Sequence, residues 1–140
     1  MNILILGEKR SGKDTIAEML EEEFGCTHMS SSMAGANKFI FKTLQPLYGY
    51  ESIEECFEDR HDHRQEWFNL ICEYNKDDLT RLAREIMKDH DIYVGMRNDK
   101  ELQECKMINL FDVIIGVIRP DTESESKSTM DIDVVKESHI

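Results

Sequence analysis

Residues 7 to 15 read Gly7-Glu8-Lys9-Arg10-Ser11-Gly12-Lys13-Asp14-Thr15, and the segments flanking them decide the fold. Upstream, Asn2 to Leu6 is a short apolar run ending at a glycine, which predicts a strand buried on both faces. Downstream, Ile16, Ala17, Met19, Leu20 and Phe24 recur at helical spacing, with Glu18, Glu21, Glu22 and Glu23 opposite them. That spacing predicts an amphipathic helix from Lys13 to Phe24, with Gly25 as its stop. Between a strand and a helix, the spacing G-x-x-x-x-G-K suits a cradle for phosphate. Gly7 and Gly12 permit the turn and the close approach of backbone N–H groups. The first turn of the helix aims its positive dipole end at the anion, and Lys13 supplies a mobile charge for the terminal phosphates.

Further along the chain, Cys26 to Met29 reads as a second short strand and Ser30 to Gly35, small and polar, as a loop. Asn37 to Leu44 reads as a short helix stopped ahead of Pro46. Ser52 to His90 is mostly helical, entered through a Ser52/Glu55 capping pair and broken near Tyr74 to Asp77. Trp67, Leu70, Ile71 and Tyr74 share one apolar face, as do Leu79, Leu82, Ala83 and Ile86, so Trp67 reads as a core residue first and a base-stacking residue second. Ile92 to Val94 predicts a strand, Asp99 to Met107 a helix and Phe111 to Ile118 the most hydrophobic strand. Strands alternating with helices imply an α/β fold: a small parallel sheet between helical layers, with a mostly helical insertion over about 36–90. Residues 121 to 129, without apolar content, predict a mobile loop, and a last strand would begin near Ser138.

The 140 residues fit one domain, and 17 basic against 29 acidic side chains give a net charge of −12. That balance argues against a general nucleic-acid surface. No apolar run approaches the roughly 20 residues of a membrane span, and no secretory signal is evident, so the expected location is the cytoplasm. Cys26, Cys56, Cys72 and Cys105 are irregularly spaced and read as free thiols.

An anionic ligand must then be held by local cations. Arg60 and Arg64 in Asp59-Arg60-His61-Asp62-His63-Arg64 are four apart, so on one helix they would converge on a single phosphate; a solvated face of Arg–Asp pairs is the alternative. His61 and His63 with Asp59 and Asp62 could also be read as a metal site. Arg97 falls just beyond a predicted strand end, where ligands of open α/β sheets bind, and Arg119 has the same placement after the last strong strand. Arg81 and Arg84 are candidates for a lid or for a plain surface role.

The string Lys9-Arg10-Ser11-Gly12-Lys13-Asp14-Thr15 resembles the bacteriophage deoxynucleoside monophosphate kinases of the P-loop NTPase class and, more distantly, the animal phosphomevalonate kinases. Tyr93-Val94-Gly95-Met96-Arg97, Glu101, and Phe111 to Ile118 followed by Arg119-Pro120 are similar to the strand-Arg-helix-strand-Arg-Pro arrangement of that family. The resemblance implies a single P-loop kinase domain of three α/β/α layers. It implies phosphoryl transfer from ATP, with Mg2+, to a (deoxy)nucleoside monophosphate. Gly7, Lys9, Arg10, Ser11, Gly12, Lys13, Asp14, Thr15 and Arg119 would hold ATP, and Lys13, Arg60, Arg64 and Arg97 would act in transfer. Two departures stand out: Asp14 follows the lysine where Ser or Thr usually ligates magnesium, and the strand after Asp91 ends without an acid. Asp14 and Thr15 are therefore the first candidates near the metal. A kinase for another phosphorylated acceptor and a nucleotide-binding protein without turnover remain the alternatives; a homodimer is compatible with each.

Overall fold

A computed structural model of the chain describes residues 1–120 and 126–140. The strands β1 (Ile3–Leu6), β2 (His28–Ser30), β3 (Ile92–Val94) and β4 (Val113–Gly116) form one all-parallel sheet in the order β2-β3-β1-β4. Ile3 pairs with Ile92 on one side and with Val113 on the other. Because strand side chains alternate faces, β1 serves both helical layers. Ile5 packs with Ile92, Val94 and Ala17 of α1 (Lys13–Phe24) on one face. Leu4 and Leu6 pack on the other with Leu82, Ala83 and Ile86 of α6 (Arg81–Asp89) and with Leu102 and Cys105 of α7 (Asp99–Met107). The molecule is thus α/β, with helices against both faces of a small parallel sheet.

Between β2 and β3 lies a helical unit with its own apolar cluster, built by α2 (Ser31–Gly35), a π-helical turn (Ala36–Ile40), α3 (Phe41–Tyr48), α4 (Ile53–Glu58), a 3-10 turn (Asp59–Asp62) and α5 (Arg64–Tyr74). Ile40, Leu44, Tyr50, Cys56 and Trp67 form that cluster. Phe39 and Ile71 pack against both this cluster and the sheet core, joining the two.

Several boundaries differ from expectation, each for an identifiable reason. Ser30 to Gly35 is not a loop: Ser30 Oγ accepts from Met33 N at 3.0 Å and caps a helix, and a Cβ on Gly35 would stand 2.8 Å from Ile40 Cδ1. The small residues serve capping and close packing. The helix expected to stop before Pro46 continues to Tyr48, with Pro46 inside it. Pro46 and Lys42 are both exposed, so the carbonyl that loses its partner faces water. Ser52 caps α4 as expected, its Oγ accepting from Glu55 N at 3.1 Å. The break after α5 runs to Thr80 and is stabilised by buried Asn75, whose Oδ1 accepts from Leu82 N at 3.1 Å. All four cysteines are free, Cys56 and Cys105 buried.

The expected mobile loop falls partly on residues 121–125, outside the described residues. Ser126 to Thr129 form a hydrogen-bonded turn, Thr129 N and Met130 N both donating to Ser126 O at 3.0 Å. Buried Met130 and Ile132 supply the apolar anchor that the turn itself lacks. Beyond α8 (Val134–Glu137), His139 N donates to Ile114 O at 2.8 Å, so the last residues lie along the free edge of β4. No described helix is long and apolar enough to cross a membrane.

Candidate functional site

The loop after β1 turns tightly. Arg10 and Gly12 both have positive φ, 59° and 97°, and Ser11 N donates to Glu8 O at 3.2 Å. Gly7 is required by contact, since a Cβ there would meet Ser11 Oγ at 2.4 Å and Val117 O at 3.0 Å. Gly12 is the N-cap of α1 and offers no side chain to the first-turn N–H groups, which have no acceptors within the helix. Lys13 is buried, and its Nζ donates to Glu8 O at 3.2 Å across the loop.

Sheet order places the end of β3 beside this loop. Gly95, at φ 91°, has Lys13 Cε and Ser31 Oγ each 3.5 Å from where a Cβ would stand, and Ser31 Oγ donates to Gly95 O at 2.9 Å. The loops after β1 and β3 and the start of α2 therefore meet at the carboxyl end of the sheet, where the direction of strand connection reverses.

A cleft of about 610 Å³ opens there, within the ordinary range for small-molecule sites. Lys9, Arg10 and Lys13 line it together with Arg60, Arg64 and Arg97. The two arginines of the Asp59–Arg64 segment both line the cleft, but they do not share one helix. Arg60 stands in the 3-10 turn, Arg64 opens α5, and His63 between them has φ −131° and ψ 34°. His63 holds that junction, with Nε2 3.1 Å from Asp59 Oδ2 and Nδ1 2.9 Å from Glu66 Oε1. Arg60 Nη1 donates to Phe57 O at 2.8 Å, and its guanidinium lies 3.7 Å from the Phe57 ring centre. Arg64 Nη2 donates to His61 Nδ1 at 2.8 Å.

The charges feel one another. Arg60 is lowered from its ordinary value, first by burial and then by Arg97, against the pull of Asp14 and Glu58. His61 is lowered by burial and by Arg60, Arg64 and Arg10, a shift that favours the neutral imidazole. Such a concentration of cations with loop N–H groups is suited to two anionic phosphate groups at once.

Asp14 lines the cleft together with Glu18, one turn further along α1, whereas Thr15 is exposed and stands outside the lining. Among the described residues no group of three or more His, Cys, Asp or Glu is arranged to hold a metal, and His63 already spends both ring nitrogens on carboxylates. Arg119 is exposed on the other side of the glycine loop, in a second recess of about 300 Å³ shared with Glu8, Ser11 and Lys127. Among the described residues, Ser11 Oγ is buried without a hydrogen-bond partner. Arg81 and Arg84 are on the far side of the helical unit, Arg81 over the Tyr74 ring and Arg84 on Asp78 and Thr80.

The recess that sequence reasoning missed shares the three arginines with the cleft. Trp67, Phe68, Ile71 and Cys72 of α5 form one side, and Tyr93, Asn98 and Glu101 the other. Trp67 is both core and lining; it is 4% exposed, and among the described residues its Nε1 has no hydrogen-bond partner. Asn98 caps α7, accepting from Lys100 N and Glu101 N, while Glu101 turns inward. Tyr93 Oη donates to Glu101 Oε1 at 3.2 Å, and burial raises the Glu101 carboxyl to about 8. The sequence singles out Glu101 only within the family-like arrangement after Arg97; its burial in this recess is set by α5 and β3.

No protein-family model and no curated protein matches the chain.

Proposed function

We propose that the chain is a P-loop kinase that transfers the γ-phosphoryl group of ATP to a (deoxy)nucleoside monophosphate. One observation carries the reading: Lys9, Arg10 and Lys13, from the glycine loop and the start of α1, line a single cleft together with Arg60, Arg64 and Arg97. The sheet order with the glycine loop after β1, and helices on both faces, supports the three-layer P-loop fold. Loop N–H groups and Lys13 bind the β- and γ-phosphates; the three arginines bind the acceptor phosphate and bring it in line. Catalysis is positioning and charge neutralisation, without a covalent intermediate. Asp14 and Glu18, four apart on α1 and both lining the cleft, would supply the one or two carboxylates that a magnesium ion bound with ATP asks of the protein. When bound, the ion neutralises phosphate charge, and Lys13 neutralises what develops on the moving group. Arg119 and the second recess, beyond the loop, would take the far part of ATP.

A coupled ADP-release assay over a panel of nucleoside monophosphates tests the reading. Turnover with at least one of them is expected, and ATP binding without ADP release for any acceptor overturns it. That second outcome would favour a nucleotide-binding protein without turnover, a reading supported by Gly95 occupying the strand end beside Lys13.

A further inference from the structure

The side recess has a chemistry that the phosphate cleft does not. Its walls are aromatic and apolar, its mouth is shared with Arg60, Arg64 and Arg97, and Glu101 in its wall is 3% exposed. The Glu101 carboxyl accepts from the Tyr93 hydroxyl on Oε1 at 3.2 Å. The recess is narrow, about 30 Å³ against about 610 Å³ for the cleft, so only a thin group enters it; a buried carboxyl beside such an aromatic slot, next to three arginines, suits a molecule with a phosphate at one end and a flat polar ring at the other.

We propose that Glu101 is the specificity-determining residue of the acceptor site, its carboxyl reading the hydrogen-bonding edge of a planar ring seated between α5 and Tyr93 while the three arginines hold the phosphate. This rests on the acceptor side of the function proposed above. With its proton on, the carboxyl offers one donor and one acceptor, and it pairs with a ring edge that places a carbonyl or imine beside an N–H, as in thymine. Without the proton it offers acceptors alone. Thymine then sets a carbonyl against the charge, whereas guanine still presents two adjacent donors. The groups around the carboxyl are Tyr93 from β3, Cys72 from α5, Cys105 on its own helix, Asp131 beside α7, and the three arginines at the mouth. Tyr93, Cys72 and Cys105 are all raised by burial, so among these neighbours Glu101 is the group that changes charge near neutrality.

The chain has one tryptophan, Trp67, and it lines the recess, so its fluorescence reports a ring entering there. Thymidine monophosphate and deoxyguanosine monophosphate are titrated against wild type and Glu101→Gln, without ATP, at about pH 6.5 and about pH 8.8. In wild type the thymidine Kd rises about fivefold to tenfold at the higher pH, in proportion to the shrinking neutral fraction, and the deoxyguanosine Kd changes less than about twofold. Glutamine keeps one donor and one acceptor but does not ionise, so the thymidine Kd in Glu101→Gln rises less than about twofold. Circular dichroism of the variant confirms an intact fold. The inference is overturned by a Trp67 signal that responds to neither nucleotide, by equal pH dependence for both, or by a Glu101→Gln profile matching wild type. ADP release measured in parallel keeps the two readings apart. Turnover with any of those results sinks the Glu101 role alone, and the expected binding pattern without turnover sinks the kinase alone.

Discussion

Glu101 holds its proton near neutrality because α5, β3 and α7 exclude water from it, an effect larger than that of the hydrogen bond from Tyr93. The folded carboxyl is raised from 4.5 to about 8, so between those values the folded chain binds more protons than the unfolded one. Stability from this group is therefore fully present below the unfolded value and falls as pH rises, by up to about 1.4 kcal/mol per pH unit within the window. Urea unfolding across pH should show wild type losing stability relative to Glu101→Gln over that interval and running parallel outside it. In the cleft, Lys13 is the cation buried against the loop it serves. Lys13→Ala should abolish ADP release and reduce the thermal stabilisation given by ATP, and unchanged stabilisation in a melting experiment would remove the donor-site assignment.

At the scale of elements, the segment from the 3-10 turn to the start of α5 matters most, because it carries two cleft-lining arginines on one short junction pinned by His63. Arg60→Ala or Arg64→Ala each removes a charge-assisted contact worth about 1.5–3 kcal/mol. Steady-state kinetics should show kcat/KM for the acceptor falling about tenfold to a hundredfold with ATP affinity nearly unchanged. A loss of ATP affinity instead would move these residues to the donor side. The α3 helix provides a test free of the site. Pro46 costs it a backbone hydrogen bond on an exposed face, so Pro46→Ala should raise stability, by at most about 3 kcal/mol. A lower denaturation midpoint for that variant would mean that the proline ring is needed where it is.

For the molecule as a whole, charge and cooperativity are the relevant properties. An acidic chain of net −12 gathers six of its 17 basic residues, Lys9, Arg10, Lys13, Arg60, Arg64 and Arg97, around one cleft. Anionic ligands are therefore guided to that cleft and repelled elsewhere, and their association should slow with added salt. The helical unit and the sheet have separate apolar clusters, but Phe39 and Ile71 belong to both, and Phe39 stacks on Tyr74 at 4.3 Å. One cooperative transition is expected. Trp67 fluorescence follows the helical unit and far-ultraviolet circular dichroism the whole, and coincident urea curves are the expected result. Separated midpoints would show two independently folding units.

What the sequence by itself determined is what neighbours along the chain decide. An apolar run, a glycine loop and a 3.6-residue period suffice for β1, the turn and α1, because strand, positive φ and amphipathic helix are properties of short segments. The Ser52 cap and the α7 helix were legible for the same reason. Ser30 to Gly35 was misleading because small polar residues also serve a helix cap, close packing on Ile40 and a bond to distant Gly95, and Pro46 because the carbonyl it leaves unpaired faces water. Only the tertiary structure decided which arginines share a cleft, since Arg97 comes from a strand end and Arg60 from the helical unit. It also set Arg119 apart, behind the loop. Glu101 shows the difference most clearly. The sequence singles it out only within the family-like arrangement after Arg97, but its charge state follows from desolvation by α5 and β3, segments near it in space and far from it in sequence.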